Sequence, residues 1–331
     1  ENALLKFYRR YTICLSLMKS RKKLKMSFVI IAPPVPTQKW KEELELIAPE
    51  IPLIIGAETD RPDDIICAMV WRQKPGILSR FKNLKLIFSM GAGVDHVLAD
   101  NTIPENIPIC RVVDPQMAFS MSNFVLMAVL NHHRSFYDYM RAQDKKQWAQ
   151  FEFEEKNLKI GVLGTGFLGM DIAKKLHNLG FEVTGYSTSV KETPFPSYAG
   201  DEIDTFLSKI NVLICLVPYT PKTEALLSYD LFKKLTHPTY LINVSRGSVQ
   251  IENDIIRALD EGILNGAFLD VFEQEPLPIE SPLWEYSSVQ ISPHVASLTY
   301  PKESVRQVIE CLNRIEKGLD LPNKVDRKKM Y

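Results

Sequence analysis

The stretch LKIGVLGTGFLGMDIAKKLHNLG, residues 158–180, reads as a strand, a glycine turn and a helix in immediate succession. Ile160, Val162 and Leu163 make the short apolar run of a strand buried on both faces. Gly164, Gly166 and Gly169 follow at G-x-G-x-x-G spacing; Leu168, Ile172, Leu176 and Leu179 then recur at helical spacing as far as Gly180, where a helix would stop. The first glycine permits the tight turn, the second lets backbone approach a pyrophosphate, and the third lets helix and strand pack closely. The phosphates would rest at the helix N-terminus, where unpaired N–H groups and the helix dipole favour negative charge. Because strand and helix are both in place, the motif reads as a dinucleotide loop rather than a structural glycine turn, with Phe167 and Leu168 among the cofactor contacts.

Working outward, strand candidates follow at 181–186, 212–217, 239–244, 266–271 and 289–291, with helix candidates at 203–209, 224–235 and 250–260. With 158–163 these strands number six, enough for a dinucleotide-binding domain. Upstream, strand candidates at 27–32, 52–56, 65–71, 85–89 and 109–113 alternate with helix-like pieces such as 37–48, which predicts a second parallel sheet covered by helices. A long helix is expected from Met117 to Arg141, followed by a polar connector from Ala142 to Asn157. The last helix, Lys302 to Lys317, is amphipathic through Val305, Val308, Ile309, Leu312 and Ile315 and is free to return to the first domain.

The end of the second nucleotide strand bears on which dinucleotide binds. NAD-binding proteins usually place an acid there to hold the ribose hydroxyls. Here GYSTS at 185–189 runs on to Lys191 with no acid at the strand end, and Glu182 lies too early, on a solvent-facing position. Ser187, Thr188 and Lys191 would donate hydrogen bonds and positive charge to a 2′-phosphate, so NADP(H) is favoured and NAD(H) stays possible.

Three chemically capable residues follow three successive strands: Arg246 in INVSRG (242–247), Glu275 in GAFLDVFEQEPLP (266–278) and His294 in ISPHVAS (291–297). Ligands of open parallel sheets bind at these carboxyl ends. Of the other histidines, His132 and His133 fall on the long helix, His177 on the helix after the glycine loop and His237 in a turn, positions that suit packing or surface roles. A second glycine loop, SMGAGVDH at 89–96, also ends a strand; it is either a carboxylate-binding loop using the N–H groups of Ala92 and Gly93 or a plain tight turn.

Composition sets bounds. A chain of 331 residues, 45% hydrophobic, can build two domains of ordinary size. Zero net charge argues against nucleic acid or an anionic membrane as partner. Cys14, Cys67, Cys110, Cys215 and Cys311 are scattered and make no C-x-x-C pair, which fits reduced thiols in a cytoplasmic setting and neither disulfides nor a metal centre. No apolar run, Phe124 to Leu130 included, is long enough to span a bilayer. Residues 1–25 carry eight Lys or Arg against Glu1 alone; an upstream extension before a start at Met26 is the preferred reading, with a transit peptide or, less well supported, a secretory signal as alternatives.

INVSRG, GAFLDVFEQEPLP and ISPHVAS, together with GTGFLG, resemble the D-isomer-specific 2-hydroxyacid dehydrogenase family. Within it, MGAGVD at 90–95, SPLW at 281–284, GYSTS and the VDR tail at 325–327 are similar to the glyoxylate/hydroxypyruvate reductase A branch. The resemblance implies an α/β protein of two Rossmann-like domains with parallel sheets, the nucleotide domain (117–297) inserted into the substrate domain (26–116 and 298–331), with the active site between them. It implies NADPH-dependent reduction of glyoxylate or hydroxypyruvate to glycolate or D-glycerate. Arg246 would grip the 2-oxo acid, His294 would donate the proton and Glu275 would stabilise the imidazolium. Trp71, Ala92 and Gly93 would contact substrate, and Val217, Pro218, Val244, Ser245 and Asp270 the cofactor. Trp148 matches the arm by which such subunits embrace as a homodimer, or is an ordinary core aromatic. Two other functions use the same fold, a dinucleotide-sensing binding protein and a D-lactate-type dehydrogenase.

Overall fold

In the computed structural model the described residues are 27–33, 35–151 and 158–331; the basic segment 1–25 and the start expected at Met26 lie outside them. The chain first lays down β1 (Ser27–Ile31), helix α1 (Gln38–Ile47), β2 (Leu53–Ile55), β3 (Ile65–Val70), β4 (Leu86–Ser89), the short α2 (Asp95–Leu98) and β5 (Ile109–Arg111). These strands form one parallel sheet in the order β2-β1-β3-β4-β5. Its central strands are apolar along most of their length because both faces are covered: β1 and β3 have no exposed residue.

Helix α3 (Pro115–His133) leads away from this sheet. Asp114 caps it by accepting from the Gln116 N–H at 2.8 Å, and Pro115 occupies the first turn, where no N–H is needed. Met117 packs into the first core, whereas Met121, Val125, Ala128 and Val129 pack into the second, so this one helix ties the two together. The long helix expected through Arg141 is broken. Ser135 sits at φ 50°, and α4 (Phe136–Asp144) starts afresh from it. No glycine or proline marks the break, which is why helical periodicity read straight through it.

The second sheet contains β6 (Lys159–Leu163), β7 (Glu182–Ser187), β8 (Ser197–Ala199), β9 (Val212–Cys215), β10 (Thr239–Asn243), β11 (Leu264–Leu269) and β12 (Val289–Ile291), all parallel, in the order β12-β11-β10-β9-β6-β7-β8. Between them lie α5 (Phe167–Asn178), α6 (Ile203–Leu207), α7 (Tyr229–Phe232) and α8 (Glu252–Asp260). The strand order reverses between β6 and β9, the switch point at which doubly wound sheets bind dinucleotides. The sheet has seven strands where six were expected; β8 is three residues long and its pattern was too short to read. The helix expected at 224–235 shrinks to α7, because Ala225 and Leu227 donate their N–H groups to the carbonyls of Ser248 and Val249 instead.

Helix α9 (Pro301–Glu316) returns to the first sheet as its amphipathic pattern suggested. Val305 and Val308 are fully buried in the core that also holds Trp40 and Leu44 of α1. Burial of such side chains stabilises by about 1.5–3 kcal/mol each, enough to hold the returning segment in place.

Candidate active site

The glycine loop is shaped by backbone contacts. Gly164 has φ +105°, and a Cβ there would lie 2.8 Å from the backbone of Leu216 and Val217. At Gly169 it would lie 2.0 Å from the Gly164 carbonyl oxygen, so α5 can sit this close to β6 only without a side chain. Gly166, the residue preceding α5, is different: nothing lies within 4 Å of the Cβ position, and its open side faces where a phosphate would approach. Phe167 and Leu168 open the helix, and Val217 and Pro218 lead out of the adjacent β9. These features fit a dinucleotide. At the end of β7 the Ser187 hydroxyl donates to the Ser189 carbonyl at 2.7 Å, folding the Ser187–Lys191 turn; Thr188 and Lys191 stay at the surface.

Arg246, Glu275 and His294 follow β10, β11 and β12, three neighbouring strands, so sheet order alone brings them to one edge. The loops of Arg246 and His294 are each braced by a buried polar residue. Asn243 accepts from the Ser245 N–H (3.0 Å) and hydroxyl (2.7 Å) and donates to Gln250 (2.7 Å), which fixes the backbone before Arg246. Asp270, 1% exposed, accepts from the Ser292 hydroxyl (2.6 Å) and from the N–H groups of Val295 and Ala296 (2.9 Å each). Its carboxylate therefore organises the loop carrying His294, a role that no spacing in the sequence exposed. Burial raises the Asp270 carboxyl, and these three donors oppose that rise. His294 itself is held at φ 55°, its N–H bonded to the Asp270 carbonyl at 2.8 Å.

Glu275 meets the imidazole directly. Its Oε2 lies 2.9 Å and its Oε1 3.1 Å from His294 Nδ1. Burial alone would raise this carboxyl, yet His294, Arg72 and the Phe272 N–H together lower it to about 2, so it is ionised at any pH the protein meets. With Nδ1 engaged by Glu275, Nε2 is the ring atom left for a ligand.

Two ion pairs join the sheets at this point. Arg246 Nε donates to Asp95 at 3.0 Å, and Arg72 Nη2 donates to Glu275 Oε2 at 2.5 Å. Arg246 comes from the seven-stranded sheet and Asp95 from the start of α2, after β4; Glu275 comes from the seven-stranded sheet and Arg72 from the loop after β3. Sequence reading missed both Asp95 and Arg72 as site residues. Each follows a strand of the other sheet, and only tertiary approach pairs them. Burial would raise the Asp95 carboxyl, but its neighbours, Arg246 foremost, together hold it below its usual range.

The guanidinium of Arg246 also rests against the second glycine loop. A Cβ on Gly93 would be 1.6 Å from Nη2, and one on Gly91 would be 2.3 Å from the Trp71 ring. Trp71 lies edge-on to His96 with centroids 4.7 Å apart, and its ring is 5.9 Å from the Arg246 Cζ. Burial pushes the His96 imidazole down to about 4 against the pull of Asp95, so it stands neutral in this wall. Trp71, Ala92, Gly93, Arg246, Glu275 and His294 thus converge on one cleft.

Residues 126–296 match the model of the D-isomer specific 2-hydroxyacid dehydrogenase NAD-binding domain. A D-isomer specific 2-hydroxyacid dehydrogenase from Xanthobacter autotrophicus Py2, solved with NADPH and MES, is 35% identical, covers 92% of this chain and 99% of its own, and superposes with a TM-score of 0.87. The NADPH-dependent glyoxylate/hydroxypyruvate reductase from Sinorhizobium meliloti, solved with NADP and sulfate, is 34% identical over 92% of this chain and 100% of its own, with a TM-score of 0.87. A probable 2-hydroxyacid dehydrogenase from Rhizobium etli CFN 42, with NADP, HEPES and tartaric acid, is 35% identical over 92% and 100%, with a TM-score of 0.85. The chain belongs to the D-isomer specific 2-hydroxyacid dehydrogenase family.

The remaining residues singled out in this dehydrogenase separate cleanly from the cleft. His132 stacks on Tyr240 with centroids 3.8 Å apart, and His133 and His177 lie against Phe181 and Phe195, all packing roles. Trp148 is 99% exposed, which rules out the core position considered for it. Val244 and Ser245 are buried beside the site, the Ser245 hydroxyl being committed to Asn243. Among the described residues, no helix is long and apolar enough to cross a membrane and no group of three His, Cys, Asp or Glu side chains is arranged to hold a metal.

Proposed function

We propose that this dehydrogenase reduces short 2-oxo acids, glyoxylate and hydroxypyruvate foremost, to glycolate and D-glycerate with NADPH. The observation that carries the reading is the His294–Glu275 pair on strand ends adjacent to Arg246, whose guanidinium abuts Gly93. Arg246 would bind the substrate carboxylate and carbonyl through its Nη groups, Nε being held by Asp95, with the N–H groups of Ala92 and Gly93 completing the carboxylate site. His294 would donate a proton from Nε2 to the carbonyl oxygen, and Glu275 would hold the imidazolium ready by its negative charge. NADPH, held by the Gly164–Gly169 loop, Ser187, Thr188, Lys191, Val217, Pro218, Val244, Ser245 and Asp270, would supply the hydride. The Trp71 ring, packed on Gly91, would restrict the cleft to two- and three-carbon acids. The Xanthobacter and Sinorhizobium relatives hold NADPH and NADP, and the latter is named for the same reduction, which supports this reading.

We assign residues 26–116 and 298–331 to the substrate domain and 117–297 to the nucleotide domain. A homodimer is proposed on the outer face of α3 and α4, where Phe119, Met127, Leu130, Phe136 and Met140 are each at least 41% exposed, with Trp148 as the arm. The free, buried Cys67, Cys110, Cys215 and Cys311 suit a reducing, cytoplasmic compartment.

The test is steady-state oxidation of NADPH and NADH with glyoxylate, hydroxypyruvate and pyruvate, for the native protein and for His294→Ala. Turnover with NADPH and a short 2-oxo acid is expected, reduced about 10²–10⁴-fold in the variant while NADPH affinity holds. Preference for NADH and pyruvate would point to a D-lactate-type enzyme. NADPH binding without consumption by any of the three acids would favour the sensing protein instead.

A further inference from the structure

Glu275 Oε2 lies against two partners at once. It accepts from His294 Nδ1 at 2.9 Å and from Arg72 Nη2 at 2.5 Å, while Oε1 takes the Phe272 N–H at 3.2 Å. The two partners come from different sheets: His294 follows β12, and Arg72 follows β3. Both carry positive φ, 55° at His294 and 50° at Arg72, a conformation that costs a non-glycine residue free energy and persists where surroundings hold it. The Arg72 side chain is 42% exposed and that of Glu275 16%, so the arginine reaches in from the rim of the cleft.

We propose that Arg72 is a positioning residue of the reaction: by engaging Glu275 from the other sheet, it competes with the imidazolium for the same carboxylate oxygen and makes His294 a readier proton donor. The inference rests on the reading of His294 as the proton donor. Its physical basis is Coulomb's law. A carboxylate stabilises an imidazolium; a second cation on that carboxylate takes up part of its field and also repels the imidazolium. The other charged groups near the pair are Asp270, committed to Ser292, Val295 and Ala296, and the Arg246–Asp95 pair; His96 stands neutral beyond them. None of these spans from the other sheet to Glu275.

The experiment follows the pH dependence of diethyl pyrocarbonate modification of His294, read by mass spectrometry of its peptide, with NADPH present and absent, in native protein, Arg72→Gln, Arg72→Asn and Arg72→Lys. In parallel, the alkaline limb of kcat/KM for glyoxylate reduction is recorded. Removing the cation should move the modification midpoint and the kinetic limb upward together by roughly one pH unit. Lysine, which keeps the charge, should restore most of the shift. Asparagine tolerates a positive φ and so separates loss of charge from loss of the loop's backbone form. Unmoved or lowered midpoints in both neutral variants, or a lysine variant that behaves like glutamine, would overturn the proposal. If the native protein reduced no 2-oxo acid while the modification midpoint still moved, the proposed reaction would fail and the coupling of Arg72 to His294 would stand. Turnover with an unmoved midpoint would be the reverse.

Discussion

The two glycine loops of this dehydrogenase, Gly164–Gly169 and Gly91–Gly93, both follow parallel strands and both open toward the cleft, yet they need their glycines for different reasons. In the nucleotide loop the obstacle to a side chain is local backbone: the Gly164 carbonyl stands 2.0 Å from where a Cβ of Gly169 would be. In the Gly91–Gly93 loop the obstacle is a side chain delivered from elsewhere, the Arg246 guanidinium at Gly93 and the Trp71 ring at Gly91. Backbone cannot yield without moving a helix. A guanidinium can swing aside, at the expense of whatever it was placed to do. Gly164 and Gly169 are thus required by the packing of backbone, and Gly91 and Gly93 by the side chains of Trp71 and Arg246.

That contrast is breakable by substitution. Gly169→Ala should have the largest effect, driving α5 off β6, destabilising by about 1–3 kcal/mol and weakening NADPH binding at least about tenfold. Thermal melting and a fluorescence titration read both, and native affinity in this variant would dissolve the distinction. Gly93→Ala should spare melting temperature and NADPH affinity but lower kcat/KM for the 2-oxo acid by about 10–100-fold through KM, as the guanidinium is displaced. A loss of nucleotide affinity there would mean that the second loop also serves the cofactor. Ser187→Asp would bring negative charge to the end of β7, and the ratio of NADPH to NADH efficiency should fall about tenfold. An unchanged ratio would place 2′-phosphate recognition away from this turn. Asp95→Asn keeps a hydrogen-bond acceptor for Arg246 Nε while deleting the charge, so a fall in kcat/KM of only about three- to tenfold is expected, with nucleotide binding unaffected. A larger fall would show that the ion pair, and not the hydrogen bond, sets the guanidinium.

Local chemistry explains which parts were legible in advance. Residues 158–180 declared a strand, turn and helix because each signal is contained within a few residues: a buried apolar run, glycines at fixed offsets, a 3.6-residue period. The apolar periodicity of α9 was readable in the same way. The break at Ser135 was not, since a left-handed serine carries no mark in the sequence, and neither was β8, whose three residues pair with β7 only because the turn before them brings them there.

The site divides along the same line. Arg246, Glu275 and His294 could be picked out because each follows a strand recognisable by itself, and parallel sheets present their ligands at those ends. Sequence by itself therefore determined the fold class, the family and the three chemically capable residues. What only tertiary structure decided is the company they keep: Asp95 against Arg246, Arg72 against Glu275, and Asp270 beneath the His294 loop. The physical reason is range. Hydrogen-bonding propensity and apolar periodicity act over a few neighbouring residues, whereas an ion pair between residues 72 and 275 exists only after two sheets have folded and met.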